Sequence, residues 1–147
     1  MNQQEPDERV LTALRIEVDP FPEDARAARF TMVDEGGESL TAPVTLREGE
    51  LENLHDVFAK IAAHNSPAAG ALPFGQPNEP RVILGFDDYV APNFLFYCTM
   101  AFPSGDGGFL PVTGRALVPD AALARLVDGL RQVKEAGQGA VEWTVAD

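Results

Sequence analysis

Apolar side chains in ELENLHDVFAKIAAH recur at steps of three and four: Leu51, Leu54, Val57, Phe58, Ile61 and Ala62. That spacing gathers them on one stripe of a helix. Thr45 and Glu48 stand at the spacing of a capping box, while Gly49 leaves the start open anywhere from Thr45 to Glu50. A second helix is predicted after Pro119, placed in its first turn, with Asp120 complementing the helix dipole. Leu123, Leu126, Val127, Leu130 and Val133 share its apolar face. Lys134 near the end and Gly137 just beyond supply the stop. Both stripes are expected to lie on one core.

The remaining ordered stretches alternate in polarity or are rich in β-formers: Leu11 to Val18, Arg29 to Val33, Leu40 to Leu46, Arg81 to Phe86, Phe94 to Phe102, Phe109 to Val118 and Val141 to Val145. DEGG at Asp34 to Gly37 and SGDGG at Ser104 to Gly108 supply hairpin glycines. DPFPED and DDYVAPN read as the other connections, their prolines interrupting any longer strand. NSPAAGALPFGQPNEP, rich in Pro, Gly and Ala, reads as a surface linker over about residues 65–79.

TMVDEGGESLTAPVTLR, from Thr31, is echoed by TMAFPSGDGGFLPVTGR, from Thr99. A shift of 68 positions superposes the halves without a gap from about Leu14 to Arg47, and four extra residues follow Arg115 before the second helix. Each half, about 11–64 and 80–136, then reads strand, strand, strand, helix. The matched residues are hairpin formers, strand residues and helix anchors, so the repeat is taken as architectural. A three-stranded meander has an apolar face too large for one helix, which two such units solve together. The expected architecture is a single α+β domain over 1–147, with antiparallel sheet or sheets from two pseudo-repeated βββα units and both helices on one side.

Composition adds partners to this picture. The 147 residues suit one core, and the polar, acidic start and the lack of an apolar run of about 18 residues read as a soluble cytoplasmic protein without leader or membrane helix. Twenty-three acids against 11 bases give a net charge of −12, which repels nucleic-acid backbones and anionic membranes and suits a basic protein partner. The charge is concentrated early, with 14 acids and six bases in residues 1–60.

No residue set points to chemistry. His55 and His64, nine residues apart on the first predicted helix, fall on opposite flanks and cannot share a metal. His55 and Asp56 are successive helical residues, which diverge, so no dyad is expected. Asp87, Asp88 and Tyr89 cluster in a predicted turn without a third oxygen ligand at calcium-loop spacing. Ser104 lacks the glycines of a nucleophile elbow, and SGDGG lacks the lysine of a phosphate loop. Cys98, the single cysteine, sits in the apolar run FLFYCTMAF and reads as a small buried hydrophobe. Trp143 and Phe74 are candidates for exposed anchors or for the core. No catalytic residue, metal ligand or cofactor is assigned.

The element order, three strands, a helix opened by GELENLHDVF, a Pro-rich linker, three strands and a closing helix, resembles small bacterial immunity proteins of the WapI-like kind, as does the Leu-x-x-Leu-x-x-x-Phe pattern of Leu51, Leu54 and Phe58. The resemblance implies a protein that binds and neutralises a toxin without catalysis of its own. The expected function is a non-catalytic acidic interaction module. Its candidate contacts are Asp34, Glu35, Glu38, Glu48, Glu50, Glu52 and Asp56. The alternative is a small-molecule binder or enzyme with a pocket between the halves.

Overall fold

The computed structural model describes residues 7–19, 26–47, 49–65, 70–75, 79–103 and 109–144. Strands β1 (Asp7–Val18), β2 (Arg26–Asp34) and β3 (Ser39–Leu46) form an antiparallel meander that leads into helix α1 (Glu50–Ala62). A short strand β4 (Gly70–Phe74) precedes a second meander of β5 (Arg81–Val90), β6 (Asn93–Pro103) and β7 (Phe109–Pro119). Helix α2 (Asp120–Ala136) and strand β8 (Gly139–Thr144) follow.

The chain is α+β, with eight strands in one mixed sheet of order β3-β2-β1-β7-β6-β5-β4 and β8 beside β1. The sheet is not wholly antiparallel as expected. Its centre joins the first strand of one meander to the last strand of the other, and Asp7–Val10 runs parallel to Val112–Arg115. Such a pairing needs a long crossover, which the intervening helix and strands provide. Beyond Val10 the same edge of β1 changes partner, pairing with β8 through Ala13–Val18. β7 and β8 thus fork away from β1.

Alternation decides which face is covered. Leu14, Ile16 and Val18 of β1, Phe30 and Met32 of β2, and Phe94, Phe96, Cys98 and Met100 of β6 are buried in one contiguous core. Phe58 of α1 sets its ring edge-on to Phe86 at 5.1 Å and to Phe96 at 6.4 Å. Leu123 and Leu126 of α2 meet the same two phenylalanines around an apolar cavity, so both helices lie on one face, in contact with each other. Gly129 leaves α2 the room that Val141 of β8 fills.

The helix ends follow local chemistry. α1 begins at Glu50 behind Gly49, whose φ of 87° only glycine adopts freely. Of the expected capping box, Thr45 belongs to β3 and Glu48 lies outside the described residues; Glu50 Oε1 accepts the Arg47 N–H at 2.6 Å. Pro119 is the residue before α2 rather than inside its first turn, and Gly137 caps the far end with φ 74°.

The expected linker contains β4, an edge strand, the position in a sheet where a proline such as Pro73 is tolerated. Phe74 is buried and stacks on Phe30 at 5.4 Å, because the sheet bends far enough to bring β3 close to β4 and β5. Glu79 fastens this approach by accepting the Thr45 N–H at 3.0 Å and hydroxyl at 2.6 Å. Trp143 is buried too, so neither aromatic is an exposed anchor. The Asp87–Asn93 segment is not a loop: β5 runs on to Val90 and β6 starts at Asn93, with a cis Ala91-Pro92 bond in the tight turn between them. The turn residues Ser104 to Gly108, the connection over 20–25 and Val145 lie outside the described residues.

Strand pairing agrees with the expected shift of 68 in one hairpin and departs from it in the next. Ile16 faces Phe30 and Leu84 faces Cys98, matching positions under the shift of 68. The next hairpins differ: Thr31 faces Thr41, but Thr99 faces Thr113. The hairpin that joins Thr99 to Thr113 is thus four residues longer than the one that joins Thr31 to Thr41. Pro43 and Pro111, matched by identity, occupy different rungs, opposite Arg29 and Ala101. Each threonine pair meets hydroxyl to hydroxyl at 2.9 Å.

Candidate interaction surface

Asp34 closes the β2–β3 hairpin. Its Oδ1 accepts the N–H groups of Gly36 at 2.9 Å and Glu38 at 3.0 Å, which makes it first a turn-building residue. Arg9 bridges Asp34 Oδ2 at 3.4 Å and Glu38 Oε1 at 2.9 Å. Glu35, at the tip, is exposed. On α1, Glu50 closes the helix start, Glu52 is exposed and Asp56 is engaged by its neighbours. The candidate acids thus lie on two separate elements, a hairpin and a helix, and several have a structural task.

The histidines depart from expectation. His55 Nδ1 lies 3.0 Å from Asp56 Oδ1 and 3.2 Å from Lys134 Nζ, so the excluded dyad does form, with Lys134 of α2 added. Side chains longer than the Cβ separation can curl toward each other even at successive positions. A single Nδ1 serves one partner at a time: bare, it accepts from Lys134; protonated, it donates to Asp56. The imidazole hydrogen bond and then the Lys134 charge hold Asp56 below the usual carboxylate range. His64 is past the end of α1, at a φ of 58°. Its Nε2 lies 3.0 Å from Asp120 Oδ1, and its ring stacks on Phe94 at 5.4 Å. Tyr89 donates its hydroxyl to Asp120 Oδ2 at 2.6 Å. This His64–Asp120–Tyr89 group ties α1, α2 and the β5–β6 hairpin together; Tyr89 first and His64 second lower the Asp120 pKa, and Asp120 raises that of Tyr89.

A bulge between Phe86 and Asp88 carries Asp87, which accepts from Arg115 Nη1 at 2.6 Å. Arg115 Nε is 3.5 Å from Glu8, and its guanidinium lies 5.7 Å from the centre of the Tyr97 ring. On the same uncovered sheet face Arg29 clamps Asp19 and Glu17, and Arg15 with Arg29 lowers the Glu17 pKa. Sequence spacing gave no sign of these groups, because each joins strands or helices far apart along the chain.

Cys98 is fully buried, and burial pushes its thiol up to about 12. Among the described residues no polar or charged residue is buried, and no three His, Cys, Asp or Glu side chains stand together in a metal-binding group. No helix among them is long and apolar enough to cross a membrane. No protein-family model matches the chain, and neither a curated protein nor a solved structure does.

Proposed function

We propose that this chain is a non-catalytic interaction module that binds a basic protein through surplus surface carboxylate, an immunity or inhibitor role being its sharpest form. One observation carries the reading: among the described residues Arg9, Arg15, Arg29, Arg115 and Arg131 each pair with a carboxylate, while the chain as a whole carries a net charge of −12. Glu35 and Glu52 are the exposed acids on the hairpin and helix concerned. The scaffold is read as a doubled βββα unit, supported by the shared β1–β2 and β5–β6 registers and the paired threonines.

The alternative needs a roomy polar pocket where the halves meet. Arg47 and Glu50 of one half and Arg81 and Ile83 of the other line an open groove of about 280 Å³, while the cavity lined by Leu14, Val118, Leu123 and Trp143 has an apolar wall and a volume of about 10 Å³. That is room for about one water.

Affinity capture at low salt, with identification of the retained protein and calorimetric titration of the purified pair, tests the reading. A basic partner binding saturably, and more weakly as ionic strength rises, supports it. An uncharged partner held equally at all salt concentrations overturns the electrostatic account.

A further inference from the structure

The fork between β7 and β8 has an outer and an inner side. On the outer side, Val10, Asp87, Leu95, Arg115, Ala116 and Leu117 line a groove of about 340 Å³. The large apolar side chains exposed among the described residues are Val10, Val90 and Leu117, and two of these three line this groove, at 53% and 57% exposure. The backbone explains why the groove is open. β1 pairs with β7 only as far as Arg115 and then leaves for β8, so Ala116–Val118 has no described strand partner on that edge. Unpaired N–H and C=O groups beside exposed apolar side chains are what an added strand uses.

Charge selects the occupant. Glu8 and Asp87 flank the groove with Arg115 as their shared cation, which leaves one carboxylate charge in excess. A second copy would bring its own net charge of −12 against the first. On the inner side, Trp143 and Val118 line the small apolar cavity, and the buried Trp143 Nε1 has no hydrogen-bond partner among the described residues. The sole tryptophan therefore sits just behind the fork.

We infer that the fork is the docking slot for an extended segment of a basic protein partner. An apolar side chain of the segment seats between Val10, Leu95 and Leu117, its backbone pairs with Ala116–Val118, and a flanking Lys or Arg faces Glu8 and Asp87. This inference rests on the proposed interaction function and gives it a location.

The test uses the full chain, ¹⁵N-labelled, titrated with the acetylated, amidated peptide Lys-Val-Lys-Leu-Lys-Val. Saturable shifts centred on Val10, Ala116, Leu117 and the Trp143 indole are expected. Val10→Ser and Leu117→Ser, both at exposed positions and so compatible with folding, should each weaken binding about tenfold. A peptide with Glu in place of Lys, and one N-methylated along one edge, should bind at least as much more weakly. Shifts confined to Glu52 and its neighbours on α1 would overturn the slot and leave the acidic-module reading standing. Binding unaffected by both Ser variants or by N-methylation would also overturn the slot. No saturable shift with this peptide, together with failure to find any basic protein that binds, would overturn both.

Discussion

Leu11 occupies the space that a side chain on Gly114 would need: its Cγ and both methyl groups crowd the position of an added Cβ. Leu11 is buried and lies where β1 changes partner from β7 to β8. The absence of a side chain at Gly114 is thus what lets the two meanders join. Gly114→Ala should destabilise the fold by about 1–3 kcal/mol through overpacking. Urea denaturation checks this, and an unchanged midpoint would mean that β1 does not lie on β7 as described.

The Asp120 group predicts a pH dependence. Tyr89 and His64 hold the Asp120 carboxyl below its usual range, so the folded chain binds fewer protons there than the unfolded one. The stability this provides is complete above the unfolded pKa, near 4, and is lost as pH falls through the lower folded value. Asp120→Asn should therefore lower Tm at neutral pH, and its deficit should shrink as the medium is acidified below about pH 4. Tyr89 runs the other way: its raised pKa favours the fold below about pH 10, and the excess Tm of wild type over Tyr89→Phe should narrow as pH rises beyond that. A deficit constant across pH would contradict the carboxylate geometry.

Cys98 reports on opening of the core. Its thiol is buried on β6 and pushed up to about 12, so iodoacetamide should alkylate it at neutral pH only through transient exposure. The labelling rate should rise with urea in step with the unfolding equilibrium. Rapid labelling in the absence of denaturant would place the sulfur at the surface.

The helices and most strands are legible because their signals are local. The stripe from Leu51 to Ile61 and the alternation through Phe94, Phe96, Cys98 and Met100 each lie within one element. What escaped depends on partners far along the chain. β4 is invisible beside its prolines because edge position, which makes Pro73 tolerable, is a property of the whole sheet. Identity placed Pro43 on Pro111, whereas the ladder is set by hairpin length, and the β6–β7 hairpin is four residues longer than β2–β3 between its paired threonines. Of the candidate acids, Asp34 and Glu50 have structural hydrogen bonds that composition cannot distinguish from free charge. The fork is the least legible feature, since it arises where one strand edge serves two partners.

The interaction claim meets its most direct test in calorimetric titration of an identified basic partner against the double variant Glu35→Lys, Glu52→Lys, with Glu142→Lys, at an exposed position of β8, as the control. Reversal at the hairpin and helix should weaken binding at least about tenfold at low salt and flatten its salt dependence, while the control stays close to wild type. Equal affinity for all three proteins, at every ionic strength, would contradict recognition by these carboxylates.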